Sequence, residues 1–317
     1  MKYTLQFQND DIADSLRARF SMIVPILHGM LYSTKRNMVE QAGGYENITL
    51  EMFCRIYLEH PGDFGICFEY AVHKSIAERN KSVYPIISQV LEEFCGIKGT
   101  AESILFGAEK QGGASVIETA KNALTDHSKI LVGKKARPAH LKRYLDDLVK
   151  ANNSRIHAES LPRSIRGIWK ADLFLGSPLS DHWVATTLKT NRRDVEHAPG
   201  LRIALYPEER QKEGLRQDEN LIYCPLPYSG DFMQLFGASF QIIKQVVAAR
   251  GKQPSRIALV YEDDQTVAKW LADRSHFPLC DILDAIGPIK QPSLLIAQEQ
   301  DYSDGGVIAA APIPYVI

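Results

Sequence analysis

Apolar residues recur at helical spacing through Ile12 to Leu31, through Thr49 to Glu59 and from Phe64 to Glu78. Such spacing gives each helix one apolar stripe to bury. Between the second and third runs, His60-Pro61-Gly62-Asp63 supplies a stop, a turn and an N-cap residue. The same pattern predicts helices over Ser82–Cys95, Ala101–Lys110, Ser115–Leu124 and Pro138–Ala151, punctuated by Gly99, Gly107, Gly112-Gly113 and Gly133. Near residue 155 the pattern changes. Ile165–Leu175, Trp183–Thr190, Leu201–Tyr206 and Leu221–Cys224 are short, β-rich runs bounded by Gly, Pro, Ser or Asp. An amphipathic helix over Asp231–Arg250, a strand over Arg256–Tyr261 and a helix over Asp263–Arg274 follow, then a strand-like Val307–Ala311. Strands alternating with helices predict an α/β fold. Three parts are expected: N-terminal helices over 1–81, a helical insertion over 82–154, and an α/β core with a C-terminal extension over 155–317.

Two charges break the apolar pattern. Asp172 sits inside Ala-Asp-Leu-Phe-Leu, and Lys189 closes Trp-Val-Ala-Thr-Thr-Leu-Lys. Desolvating a lone charge in a strand is costly, so either both point to water or they meet at a site. Strand periodicity puts Trp183, Ala185, Thr187 and Lys189 on one face, and Lys170, Asp172 and Phe174 on one face of the preceding run. Residues 176–182 are short enough to join neighbouring antiparallel strands, which would bring Asp172 and Lys189 to the same sheet end. A cross-strand salt bridge would explain the pair at little gain in stability. A site for metal-assisted phosphodiester hydrolysis would explain it too, with the carboxylate holding a hard cation and the lysine serving the attacking water.

These residues resemble the PD-(D/E)XK phosphodiesterase superfamily, the restriction-endonuclease-like fold. In that family an acidic strand residue precedes a (D/E)XK tripeptide on the next strand, often with a helical glutamate upstream. Asp172 matches the first acid and Lys189 the lysine. Thr187-Leu188-Lys189 matches the tripeptide, with Thr187 where an acid is usual. Glu69 is the upstream glutamate, on the helical face of Ile66, His73 and Ile76 and beside the stripe of Phe64, Phe68 and Val72; a solvent-facing edge position would account for it equally. The resemblance covers roughly residues 60–80 and 155–265. It implies a restriction-endonuclease-like core, a central mixed sheet flanked by helices. It also implies a Mg²⁺- or Mn²⁺-dependent endonuclease acting on DNA, of the kind found in restriction or anti-phage systems. Asp172 and Glu69 would ligate metal with the Leu188 carbonyl, and Lys189 would serve the water. Thr187 in the acid position argues for the rival reading, a non-catalytic nuclease-fold module that binds nucleic acid or scaffolds a complex.

Charge is nearly balanced over the 317 residues, 37 basic against 38 acidic, so the total names no partner. Its distribution says more. From Lys129 to Lys170 there are eleven Lys/Arg against Asp146, Asp147 and Glu159, a local excess suited to a polyanion or to solvated helix faces. Lys134, Lys135, Arg137, Lys142 and Arg143 are its candidates for nucleic-acid contact. Asn191, Arg192 and Arg193, directly after Lys189, are candidates for phosphate contacts or for a solvated turn. Arg202 is a weaker one. The reading leaves RNA open beside DNA, and leaves a homodimer open. There is no GxxxxGK[ST] loop, so any NTPase or helicase activity would come from a partner protein. The five cysteines form no CxxC pair, and no HExxH or Cys/His cluster suggests zinc. Glu262-Asp263-Asp264 reads as a helix start, with Asp263 as N-cap, rather than a cation site. No signal-peptide h-region or membrane-length apolar run is present, so a cytoplasmic protein with no membrane contact is expected.

Overall fold

The computed structural model describes residues 12–34, 36–107, 117–133, 137–163, 165–197, 199–208, 214–227 and 231–289. Its helices are α1 (Asp14–Ser33), α2 (Arg36–Gln41), α3 (Leu50–Ile56), α4 (Asp63–Ala77), α5 (Tyr84–Cys95), α6 (Ile117–Ala123), α7 (Leu145–Asn153), α8 (Arg155–Ser160), α9 (Asp231–Ala248), α10 (Glu262–Ala272) and α11 (Leu279–Ile286). Its strands are β1 (Glu102–Leu105), β2 (Lys129–Ile130), β3 (Ala139–His140), β4 (Leu173–Ser177), β5 (His182–Leu188), β6 (Arg202–Glu208), β7 (Arg216–Asp218) and β8 (Leu221–Pro227). Among the described residues no helix is long and apolar enough to cross a membrane. The chain forms two compact units, one of residues 1–27, 34–59 and 231–317, the other of 28–33 and 60–230.

The first unit is helical. Thr49 caps α3, its hydroxyl accepting the Met52 N–H at 3.1 Å, which satisfies one orphan donor of the first turn. Arg19 on α1 donates to Asp264 at 2.5 Å and to Asp263 at 3.1 Å on α10. Asp263 and Asp264 are therefore ion-pair partners, and Tyr261, not Asp263, occupies the N-cap position. The strand expected over Arg256–Tyr261 is absent. Ala258 and Leu259 both donate to the Ser255 carbonyl, closing a turn in which only Leu259 is buried while Ile257 and Val260 face water. An apolar run this short does not distinguish a strand from a turn with one anchoring side chain. Val307–Ala311 lies outside the described residues.

The second unit is built on a mixed eight-stranded sheet, ordered β1-β4-β5-β6-β8-β7, with β2 pairing with β5 and β3. β4 is antiparallel to β1 and β5, whereas β5, β6 and β8 run parallel. Parallel neighbours need a crossover of a dozen or so residues; residues 189–201 make the one from β5 to β6 around a 3-10 turn at Arg192–Asp194. One sheet face, with Ile104, Phe106, Phe174, Trp183 and Ala185, is buried with Leu145 and Leu148 of α7 and Ala120 of α6. On the other, His73 of α4 hydrogen-bonds Ser103 of β1 at 2.8 Å. The unit is thus α/β, a sheet flanked by helices.

Three sequence expectations change here. Over its described residues, 101–107, the helix expected at Ala101–Lys110 is not formed: Glu102–Leu105 pairs residue by residue with Gly176–Leu173. The helix expected over Pro138–Ala151 begins only at Leu145, because Ala139–His140 pairs as a strand with Lys129–Ile130, so segment 82–154 supplies three strands as well as helices. Ile165–Leu175 is not one strand either. Successive three-residue turns, Ile165 N–H to Pro162 O, Ile168 N–H to Ile165 O and Ala171 N–H to Ile168 O, tighten the chain until β4 begins at Leu173. Asp172 stands at the mouth of the strand, not within it.

Candidate active site

The directions of the strands gather the singled-out residues at one sheet end. The start of β4 lies beside the carboxyl ends of β1 and β5, the edge at which open α/β sheets place ligand sites. Asp172 is half-buried there. Its N–H donates to the Thr186 carbonyl at 2.8 Å, and its carbonyl accepts the Phe106 and Gly107 N–H groups at 2.9 and 2.6 Å. The backbone is fixed on both sides, so the side chain has one place to go. Its Oδ2 accepts the Thr187 hydroxyl at 3.0 Å and the Leu188 N–H at 2.8 Å. Leu188 thus engages Asp172 through its N–H.

Glu69 arrives from α4, and its Oε2 is buried. Gly107, just past β1, separates it from Asp172. A Cβ at Gly107 would lie 2.5 Å from Glu69 Oε2, 2.9 Å from Asp172 Cα and 3.2 Å from Asp172 Cβ. Only a residue without a side chain lets the two acids come so close. His73, one turn further along α4, is engaged by Ser103; burial holds its pKa below the ordinary value.

Lys189 follows β5 and is half-buried, its N–H bound to the Leu205 carbonyl at 2.9 Å. Its charge acts on the Glu196 carboxyl. Lys170 bonds Glu196 at 2.8 Å and, with Lys189 and Arg202 adding, holds that exposed carboxyl below its usual pKa. Arg202, at the start of β6, is only 4% exposed and donates to the Gly167 carbonyl. Burial lowers its pKa, while Asp172 and Glu196 raise it; a guanidinium stays charged there. Arg202 and Glu196 were underweighted or missed by sequence reasoning. For Arg202 the signal was available: it interrupts Leu-Arg-Ile-Ala-Leu-Tyr just as Asp172 interrupts its own run.

The polyanion candidates divide. Lys134 and Lys135 lie outside the described residues. Arg137, Arg143 and Arg193 are exposed. Lys142 pairs with Asp126 at 3.3 Å and Arg192 with Glu208 at 3.4 Å. Asn191 caps the 3-10 turn, its side-chain oxygen accepting the Arg193 N–H at 3.0 Å, so its first role is local structure.

Among the described residues no three His, Cys, Asp or Glu side chains gather as a metal cluster. Glu69 Oε2 and the Cα and Cβ of Asp172 lie against Gly107, and the Asp172 carboxylate takes the Thr187 hydroxyl; the two carboxylates and the hydroxyl are oxygen donors of the kind a hard cation takes. The chain matches no family model, no curated protein and no solved structure.

Proposed function

We propose that the protein is a Mg²⁺- or Mn²⁺-dependent endonuclease that hydrolyses phosphodiester bonds in DNA, of the restriction-endonuclease-like kind and suited to restriction or anti-phage defence. The observation that carries this reading is the convergence of Glu69 and Asp172 on Gly107, at the sheet end where Thr187-Leu188-Lys189 leaves β5. A helical acid, a strand-mouth acid and a lysine from three separate elements have no common packing purpose.

Asp172 and Glu69 would hold the cation, with the Leu188 carbonyl as a backbone oxygen. When bound, the cation polarises the phosphate and acidifies water. The chain's own groups do the rest. Thr187 and Leu188 fix the Asp172 carboxylate through Oδ2, which sets its orientation before substrate arrives. Lys189 orients the attacking water and offsets phosphate charge. The water oxygen bonds to phosphorus as the bond to the leaving sugar oxygen breaks, and that oxygen gains the proton that balances the step. Arg137, Arg143 and Arg193 offer sequence-independent phosphate contacts.

One hydrogen bond favours a second reading. Thr187 donates to Asp172 from the position where an acid is usual, which satisfies that carboxylate without a cation. A non-catalytic nucleic-acid-binding or scaffolding module would be built this way. Incubating pure protein with supercoiled, linear and single-stranded DNA and with RNA, with Mg²⁺, Mn²⁺ or chelator, separates the readings. Metal-dependent DNA cleavage is expected. Binding without cleavage on every substrate establishes the second reading, and cleavage of RNA alone corrects the substrate.

A further inference from the structure

Arg202 is a buried permanent charge whose hydrogen bond goes to a neutral group, the Gly167 carbonyl. A carbonyl satisfies a donor but does not neutralise a cation, so the compensating charge must come from carboxylates. Two act on Arg202: Asp172 and Glu196. Glu196 is exposed and already bonded to Lys170, where solvent weakens its pull. Asp172 is the half-buried one. Strand register supports this pairing: Arg202 stands opposite Ala185, on the β5 face that also carries Thr187, the residue bonded to Asp172. Gly167, where the guanidinium ends, lies five residues before Asp172 on the turn that leads into β4.

We propose that Arg202 is the built-in cation of this site, a positioning residue that occupies the field of Asp172 and keeps divalent metal weakly bound until a phosphate enters. The proposal rests on the nuclease reading. Thr187 works in the same direction, since it removes a negative charge where Arg202 adds a positive one. A free site with Glu69, Asp172, Lys189 and Arg202 carries two negative and two positive charges. A divalent ion meets no net attraction there, and an incoming phosphodiester restores it. By linkage, metal and nucleic acid then tighten each other by the same factor. The arrangement would restrain metal-dependent chemistry in the absence of substrate.

The test is calorimetric titration of Mn²⁺ into wild type, Arg202→Gln, Arg202→Met and Arg202→Lys, each alone and with a phosphorothioate oligonucleotide that resists cleavage. Arg202→Gln and Arg202→Met should bind Mn²⁺ at least about tenfold more tightly than wild type without oligonucleotide, since one like charge several ångström from a divalent ion costs more than that even at the effective dielectric of protein sites. Arg202→Lys should stay close to wild type, and the gain from added oligonucleotide should shrink in the two neutral variants. Equal or weaker Mn²⁺ binding by folded neutral variants overturns the proposal and leaves the nuclease reading intact. Loss of fold in both neutral variants also overturns it, because the guanidinium would then be a packing element. Failure of any protein to bind Mn²⁺, with or without oligonucleotide, overturns the nuclease reading itself.

Discussion

The β4–β5 hairpin carries an aspartate at each end, and the two are held in opposite ways. Asp181 closes the turn with φ at +50°. Ser128 and Thr125 each donate to it at 2.5 Å, and the Trp183 indole donates at 3.2 Å. Burial raises its pKa, but these donors, with His127 adding, outweigh it and leave the value below ordinary. The Ser128 and Thr125 bonds tie the turn to a distant chain segment and the Trp183 bond closes it locally, so the charge is spent on holding the turn. Asp172, at the far end, takes two donors on one oxygen and has a second acid beside it across Gly107 and a buried arginine in its field. A fold gains nothing from bringing Glu69 there, since like charges in a partly buried place repel. The same residue type on the same hairpin thus serves structure at one end and, if the protein is a nuclease, chemistry at the other.

The largest effect should come from Glu69→Gln, which keeps the volume and removes the charge. Metal-dependent cleavage should fall by about two to three orders of magnitude, the scale for losing one well-placed electrostatic group, with melting temperature unchanged or raised. Cleavage at the wild-type rate removes Glu69 from the site. Gly107→Ala should come next. Its Cβ, 2.5 Å from Glu69 Oε2 and 2.9 Å from Asp172 Cα, must push the acids apart. Denaturant titration should show a loss of about 1–3 kcal/mol, with cleavage reduced beyond what the folded fraction explains. Asp181→Ala sharpens the contrast from the other end. It should cost about 1–3 kcal/mol, because the buried Ser128 and Trp183 lose an acceptor, while cleavage per folded molecule holds.

Smaller effects test the surroundings. Neutralising Arg137, Lys142 and Arg143 together should lower the slope of log affinity against log salt by about one for each phosphate that is no longer neutralised. An unchanged slope makes that stretch a solvated face. The smallest effect concerns His73. Its folded pKa lies below the unfolded value of about 6.5, so the unfolded chain binds the extra proton first. Stability from this residue is complete above about pH 6.5 and falls as pH drops towards the folded value. His73→Gln should flatten the melting temperature over that window, and an unchanged slope would show that another group sets it.

How much of the molecule could be read from sequence depends on the scale of the signal. The stripes of α4 and α9 and the runs of β5, β6 and β8 are long enough for periodicity to name them. β1 is not: Glu-Ser-Ile-Leu suits a helix as well as a strand, and pairing with Leu173–Gly176 decides it. Strands as short as Lys129–Ile130 and Ala139–His140 exist only through their partners. At the site, the oddity of Asp172 and Lys189 within apolar runs was visible, as was the face of Glu69. Gly107 was legible only as punctuation, because its close approach to two acids is a tertiary fact. Lys189 was expected to answer Asp172 alone. In the structure the cation in that aspartate's field is Arg202, while Lys189 acts on Glu196, since β6 lies parallel to β5 and not in a meander with it.

The most direct measurement compares the two ends of the hairpin: single-turnover cleavage of supercoiled DNA with Mn²⁺ by wild type, Asp172→Asn and Asp181→Asn, at a temperature where circular dichroism shows all three folded. A nuclease site at Asp172 predicts that Asp172→Asn is slower than wild type by about two to three orders of magnitude and that Asp181→Asn cuts at close to the wild-type rate despite a lower melting temperature. Equal rates for Asp172→Asn and wild type, or no cleavage by wild type under any metal, would contradict it.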